Sequence, residues 1–297
     1  MEDVLVIGGG AGGLSAALIL SRARRRVLVV DSGEPRNAVA QQVHGFISRD
    51  GTPPAELLAA GRAEVERYGG RVAAGEVRAV RRDGSGFEVE LADRTVRARR
   101  VVVATGLRDE LPDVPGLRER WARDVLHCPY CHGWEIRDQP LGVLGWQPGA
   151  VHQALLVRQW SDDVVFFAEA LDETGRAKLT ARGVRIVDGE VSGLVVEDDE
   201  LRGVRLADGT VVARSALFVP ARPAANDALL TGLGCERDDD GWVRVDPSGR
   251  TSVPGLWAVG NVADFAAQVV TAAAAGAKAA VAVNMDLIEE ELLERVG

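Results

Sequence analysis

The sequence predicts an α/β protein built from two parallel-sheet β–α–β folds, one nested inside the other. Three observations predict it. An apolar strand, Val4 to Ile7, runs into a glycine turn and an apolar helix. The same strand–turn–helix order returns at Leu141 to Leu144. A further apolar strand with a Gly-Asn turn, Thr251 to Asn261, precedes an Ala-rich helix starting near Gln268. At 297 residues and 46% hydrophobic content, the chain is long enough for two domains, each with its own core. The expected domains are a discontinuous one over 1–111 and 244–297, and an inserted one over 112–243.

In the first unit, Gly8-Gly9-Gly10-Ala11-Gly12-Gly13 leads into the helical run Leu14 to Leu20, and the strand Val27 to Val30 ends on Asp31. Gly8, Gly10 and Gly13 give G-x-G-x-x-G, with an acidic residue about twenty positions on, as in Rossmann-like dinucleotide-binding folds. The glycines bring backbone N–H groups at the helix N-terminus close to a pyrophosphate, and Asp31 suits ribose hydroxyls. From about Gly75 the chain reads as short strands, including Phe87 to Leu91, and then Arg100 to Ala104 entering Thr105-Gly106. Pro112 and Pro115-Gly116 mark a linker.

The second unit repeats the first with changes. Val6 to Leu14 aligns with Val143 to Val151, so that Trp146 stands for Gly9 and Gln147 for Gly10, while Gly145 and Gly149 survive. The same register puts Ala168 opposite Asp31. Nearby Glu169, Asp172 and Glu173 repel a 2′-phosphate, with Arg176 and Lys178 in partial compensation. This second fold reads as a nucleotide domain that has lost its nucleotide.

Composition narrows the partners. A formal charge of −9 and a pI near 5.1 argue against nucleic acid or an anionic membrane surface. The N-terminus enters a strand at once without signal-peptide features, which points to the cytoplasm. The apolar run Ala266 to Ile288 is interrupted by Gln268, Lys278, Asn284 and Asp286, so it reads as a buried helix and not a membrane span.

Chemistry concentrates in His127-Cys128-Pro129-Tyr130-Cys131-His132-Gly133-Trp134-Glu135. Two thiols in C-x-x-C can close into a disulfide and reopen, storing two electrons, and a flanking imidazole manages the protons. His132 is the candidate acid/base, with His127 and His44 behind it. The competing readings are a zinc site, which six consecutive residues rarely enclose, and a glutaredoxin-type motif, which normally opens a small thioredoxin fold. No metal site is expected. His152 reads as an ordinary helix residue, and Cys235 as a solitary thiol.

Over essentially its whole length the chain resembles the low-molecular-weight thioredoxin reductase family of flavoproteins. The resemblance rests on Gly8 to Gly13, Ala104-Thr105-Gly106, the inserted C-x-x-C domain, and Thr251 to Asn261 followed by Ala267-Gln268-Val269. It implies two nested three-layer ββα folds and bound FAD. The cofactor residues it implies are Gly8, Gly10, Ala11, Gly13, Asp31, Arg36, Val77, Gly106, Gly260, Asn261, Gln268 and Val269. Family members carry Asp where this chain has Asn261.

Two departures, the lost glycines at 146–147 and His132 after the second cysteine, resemble the gliotoxin- and holomycin-type dithiol oxidases. That resemblance implies that Cys131 faces the flavin, that Cys128 exchanges with a small-molecule dithiol, and that dioxygen takes the electrons. The alternatives are a thioredoxin-disulfide reductase fed by NADPH or a protein such as ferredoxin, and a non-catalytic FAD-binding redox sensor. A homodimer is implied by the family alone.

Overall fold

The computed structural model describes residues 1–296. From the N-terminus come β1 (Glu2–Ile7), α1 (Ala11–Arg22), β2 (Val27–Asp31), α2 (Pro54–Arg67), β3 (Arg71–Ala74), β4 (Val77–Asp83), β5 (Gly86–Leu91), β6 (Thr95–Val103) and β7 (Leu107–Glu110). The middle of the chain holds β8 (Val125–Leu126), α3 (Pro129–His132), β9 (Leu141–Gly145), α4 (Ala150–Val157), β10 (Val164–Ala168), α5 (Glu173–Ala181) and β11 (Arg185–Asp188). After these come β12 (Val191–Glu197), β13 (Glu200–Leu206), β14 (Val211–Ala213) and β15 (Ala216–Phe218). The last part comprises β16 (Arg222–Ala225), α6 (Ala228–Gly232), β17 (Leu256–Ala258) and α7 (Val269–Val296).

The continuous apolar runs become central strands because both faces of a covered parallel sheet are buried. In the first unit the sheet order is β3-β2-β1-β6-β5-β4. Its β6 is long enough to pair antiparallel with β5 through Phe87 and Ala98, and parallel with β17 through Leu256 and Val101. One face packs Ala16, Ala17 and Leu20 of α1 with Ala279, Ala280 and Val283 of α7. The other packs Leu5, Val30, Phe87 and Val89 with Leu230 and Val243. The inserted unit repeats this three-layer plan. Its parallel sheet, β11-β10-β9-β15-β8, carries α4 and α5 on one face. The antiparallel β12-β13-β14 sheet supplies Leu201, Val204 and Leu206 to the core on the other face.

The two compact units are Met1–Arg108 with the chain from Pro223 onward, and Asp109–Arg222. Residues 223–243, expected from sequence in the inserted domain, lie in the first unit instead. The reason is burial: Leu230, Cys235 and Val243 join Phe87 and Leu256 in its core. The Pro/Gly punctuation near 112–116 lies just beyond the first crossing between units. The second crossing falls within β16, where composition does not change. The two crossing strands, β7 and β16, pair with each other. Residues 269–296 form one helix whose buried side is Gly276, Ala279, Ala280, Val283 and Leu287. Among the described residues no helix is long and apolar enough to cross a membrane.

Small residues let α7 cross α1 closely. A Cβ on Gly276 would sit 1.9 Å from the Gly12 carbonyl oxygen, so this contact accepts only glycine. Gly276→Ala is therefore expected to lower stability by about 1–3 kcal/mol as the helices are forced apart. Gly232→Ala in α6, where the added methyl meets nothing within 4 Å, should be neutral or gain up to about 1 kcal/mol. Thermal melts of the two variants make the comparison, and equal melting points would remove the close crossing as a constraint.

Candidate active site

In the first unit the turn after β1 lies at the topological switch point between β1 and β6, where open α/β sheets hold ligands. Gly8 has φ +105°, and a Cβ there would lie 2.4 Å from the Ala104 carbonyl oxygen. A Cβ on Gly13 would lie 1.9 Å from the Gly8 carbonyl oxygen, so the first turn of α1 packs directly on the strand end. Gly10 is different: it caps α1 with no side-chain hydrogen bond, and a Cβ there would meet nothing within 4 Å. The first turn of α1, beginning at Ala11, contains no acidic residue. Bare N–H groups at the positive end of a 12-residue helix, facing open space, suit the pyrophosphate of a dinucleotide.

Asp31 ends β2 beside this turn. Its Oδ1 accepts the Gly9 N–H at 3.0 Å, and its Oδ2 accepts Arg62 Nη2 at 2.8 Å. Burial works to raise the Asp31 carboxyl, but Arg62 and the Gly9 and Gly33 backbone N–H groups outweigh it and hold the group below the ordinary carboxylate range. Each oxygen retains a lone pair for a ribose hydroxyl. Arg62, on α2, carries no sequence signal, because nothing local pairs it with a residue in β2. Arg36 lies exposed in a short 3-10 turn, and Val77 opens β4 half-buried.

The second half of the first-unit site is built from two further turns. Thr105 Oγ1 donates to the Asn226 carbonyl at 2.7 Å, Asn226 Nδ2 donates to the Thr105 carbonyl at 3.0 Å, and the Asn226 N–H donates to Gly106 O at 3.0 Å. Asn226 thus locks the Ala104-Thr105-Gly106 turn, a role with no sequence signal. After Gly260, Asn261 Nδ2 donates to the carbonyls of Asp264 (3.0 Å) and Ala267 (2.9 Å), fixing the loop that leads into Gln268 and Val269. The Gln268 carbonyl accepts the Ala272 N–H at 2.8 Å as α7 begins. His44 Nδ1 lies 3.4 Å from the Asp50 carboxylate, and the neighbouring Gly45 N–H donates to it at 2.9 Å.

The C-x-x-C motif belongs to the inserted unit. Cys128 and Cys131 form a disulfide with Cα atoms 5.2 Å apart. Pro129 opens α3, the Cys131 N–H donates to the Cys128 carbonyl at 3.2 Å, and the Gly133 N–H donates to Pro129 O at 2.7 Å. A Cβ on Gly133 would be 2.7 Å from Trp160, whose ring also meets the Tyr130 ring edge-on at 5.6 Å. The turn therefore rests on an aromatic support. Cys128, Cys131 and His132 are half-buried, while Tyr130 and Trp134 on the same segment are each 65% exposed. His127 Nδ1 lies 3.1 Å from the Ala221 N and 3.3 Å from the Val219 carbonyl oxygen.

At the switch point of the inserted sheet, between β9 and β15, the turn that corresponds to Gly8–Gly13 is occupied by side chains. Trp146 Nε1 donates to the Pro220 carbonyl at 2.9 Å, and Gln147 Nε2 donates to the same oxygen. A cavity of about 240 Å³ remains beside Trp146 and Phe167, rimmed by Asp113, Glu169 and Glu190. A larger one, about 500 Å³, lies in the first unit beside Glu2 and Arg71, at the strand starts and away from the glycine turn. Among the described residues no group of three or more His, Cys, Asp or Glu is placed to hold a metal ion. Burial pushes the Cys235 thiol up, against opposing contributions from Thr251 and Arg237.

The profile of the pyridine nucleotide-disulphide oxidoreductase family matches residues 2–277. The thioredoxin reductase sirT of Leptosphaeria maculans is 31% identical over 315 residues, covering 99% of this chain and 96% of that protein. The thioredoxin reductase tcpT of Claviceps purpurea is 34% identical over 278 residues, covering 87% and 86%. Among solved structures, a crystal structure of HlmI superposes with a TM-score of 0.97 at 58% identity, covering 99% of this chain and 95% of that one.

Asp31→Asn removes the charge that holds both Gly9 and Arg62. It is expected to cost about 1–3 kcal/mol at neutral pH. Because the folded carboxyl lies below its unfolded value near about 3.9, its contribution is complete above that pH and is lost as pH falls through the folded value. Denaturation curves at neutral pH and at pH values below the ordinary carboxylate range should converge for parent and variant in acid; a constant gap would refute the assignment.

Proposed function

Since this chain belongs to the pyridine nucleotide-disulphide oxidoreductase family, and is a thioredoxin reductase-like thiol-disulfide oxidoreductase, we propose that it closes a small-molecule dithiol into a disulfide, with dioxygen as the final acceptor. The observation that carries this reading is the pair of hydrogen bonds from Trp146 and Gln147 to the Pro220 carbonyl. They tie down the turn where a nicotinamide dinucleotide would lay its pyrophosphate, which supports a reading in which electrons enter through sulfur. The likeness to HlmI and the resemblance to gliotoxin- and holomycin-type dithiol oxidases support it.

The residues of the first unit fit FAD: Gly8, Gly10 and Gly13 for the pyrophosphate, Asp31 for the ribose, and the turns at Gly106 and Gly260-Asn261 for the remainder. Held by these residues, FAD would supply a two-electron acceptor for the reduced cysteine pair, Cys131 being the donor that the family resemblance implies, with dioxygen as final oxidant and hydrogen peroxide as product.

The chain's own groups carry the sulfur steps. A substrate thiolate attacks Cys128 Sγ, the Cys128–Cys131 bond breaks, and the electron pair leaves on Cys131. The second substrate thiol attacks the substrate sulfur of the mixed disulfide, and Cys128 leaves as a thiolate. The substrate is oxidised by two electrons, and the enzyme disulfide becomes a dithiol that takes up the two protons. His132 removes the proton from the attacking thiol and returns it to a departing one.

Under anaerobic conditions a dithiol such as dithiothreitol should bleach the flavin, and admitting air should restore it with peroxide release. Rapid bleaching by NADPH would favour the thioredoxin reductase alternative and sink the oxidase reading. Cys131→Ser should abolish bleaching by dithiol while FAD stays bound; persisting turnover would break the proposed electron path. Replacing His132 by Ala is expected to lower kcat roughly 10²–10⁴-fold, and an unchanged rate would reduce the residue to a structural role.

A further inference from the structure

The loop that joins Gly260 to α7 in the first unit is held mainly by hydrogen bonds. Asp264, Phe265 and Ala266 are exposed, and the Phe265 ring meets that of Trp242 at 5.7 Å. A segment that buries so little apolar surface depends on its polar contacts for a single conformation. The Ala263 and Asp264 N–H groups both donate to the Gly260 carbonyl at 3.0 Å, and the Ala267 N–H donates to the Asp264 carbonyl at 3.2 Å. These bonds fold the backbone so that the carbonyls of Asp264, Phe265 and Ala267 converge on the side chain of Asn261.

Asn261 Nδ2 lies 3.0 Å from the Asp264 oxygen, 3.4 Å from that of Phe265 and 2.9 Å from that of Ala267. All three partners can only accept, so the amide stands with its NH₂ toward the loop and its two hydrogens shared among them. A carboxylate has no hydrogen to offer here. It would set a negative charge against three carbonyl dipoles, which favours either protonation of the carboxyl or a different loop. The chain departs at this position from the Asp that family members carry, and the loop is folded around the departure. That loop delivers cofactor residues: it ends at Gln268 and Val269, which the resemblance assigns to FAD. The Gln268 carbonyl accepts the Ala272 N–H at 2.8 Å as α7 begins. A Cβ on Gly45 would lie 3.8 Å from Gln268 Oε1, so the end of the loop also rests on the turn that contains His44.

We propose that Asn261 is a positioning residue for FAD: its amide hydrogens, and not a charge, order residues 264–267 and so place Gln268 and the start of α7 for the cofactor. The inference rests on the reading of the first unit as the FAD site. Removing the side chain in Asn261→Ala leaves three carbonyls in an exposed loop, where water can serve them. Asn261→Asp does more harm, because it turns three attractive contacts into repulsive ones. An Asn that served only as a substitute cofactor ligand for the family's Asp would give the opposite order, with Asn261→Asp the milder change.

The test uses the full FAD-loaded chain and its Asn261→Ala and Asn261→Asp variants. Dilution releases free FAD, whose fluorescence gives the dissociation constant. At neutral pH that constant should rise roughly 3–10-fold in Asn261→Ala and roughly 30–100-fold in Asn261→Asp. The excess loss in Asn261→Asp should shrink as pH falls toward about 5, since a protonated carboxyl again donates a hydrogen to the loop. The other titratable groups near the loop are common to all three proteins. They are Asp264, whose Oδ1 accepts the Ala266 N–H at 3.0 Å, and His44 and Asp50 in the turn beside Gln268. The Gly260–Val262 turn packs on α1 and α7, where no charged residue precedes Arg22 and Lys278 respectively. Melting points should fall in the same order, parent above Asn261→Ala above Asn261→Asp.

An Asn261→Asp chain that holds FAD as tightly as the parent, or more tightly than Asn261→Ala, would overturn the proposal, as would an excess loss that does not change with pH. If Asn261→Asp folds only below neutral pH, the comparison is made there by raising the pH stepwise: release of FAD ahead of Asn261→Ala supports the proposal, and release together with it or later contradicts it. A parent chain that binds no FAD would defeat the cofactor reading. The order of melting points would still decide whether the amide clamps the loop.

Discussion

The arrangement turns on one oxygen atom, the carbonyl of Pro220, and on what donates to it. In a parallel α/β sheet the turn after the first strand either leaves its N–H groups bare toward a bound phosphate or is covered by side chains. In the first unit it is bare: Gly10 caps α1 without a side chain, with open space beside it. In the inserted unit Trp146 and Gln147 occupy the equivalent positions and are tied to Pro220 on the neighbouring strand end. One fold plan therefore appears twice, once with a bare glycine turn and once with the turn covered by side chains. The closure is made of hydrogen bonds to backbone, which rotamer changes alone do not release without leaving an unpaired carbonyl.

Closing that crevice reorganises what surrounds it. The Val219–Arg222 segment runs from β15 toward the strand where the chain leaves the unit, and it passes directly over His127. Held at Pro220 and Arg222, it presents a backbone donor to the imidazole, while α4 holds the carbonyl of the same residue through Gln153. The C-x-x-C turn is supported on its other side by Trp160, against which Gly133 packs without room for a side chain. The Cys128–Cys131 disulfide is thus flanked by the Gly133–Trp160 packing on one part of its segment and by the hydrogen bonds to His127 on the other.

Much of this was legible in the sequence because the signals are local. The Gly8–Gly13 spacing, the carboxylate at Asp31, the C-x-x-C pair and the misaligned copy at 145–149 are each read from a few consecutive residues and their periodicity. What escaped was carried by contacts far apart in the chain. Arg62 meets Asp31 from α2, a helix without a distinctive motif of its own. Asn226 locks the turn at 104–106 from the far side of the insertion. The far domain boundary is set by contacts of the same long-range kind. Residues 223–243 carry no compositional break, and only burial of Leu230 and Val243 against Phe87 shows where they belong. In the sequence Trp146 shows only as the residue that stands for Gly9; its hydrogen bond to Pro220 makes it a tie between the turn and the neighbouring strand end.

Calorimetric titration of the FAD-loaded chain with NADPH and with NADH shows whether the covered turn of the inserted unit admits a nicotinamide dinucleotide. With Trp146 and Gln147 tied to Pro220, no saturable heat is expected up to millimolar coenzyme, and no change in tryptophan emission. A saturating isotherm in the micromolar range, with quenching that disappears in Trp146→Phe, would contradict it.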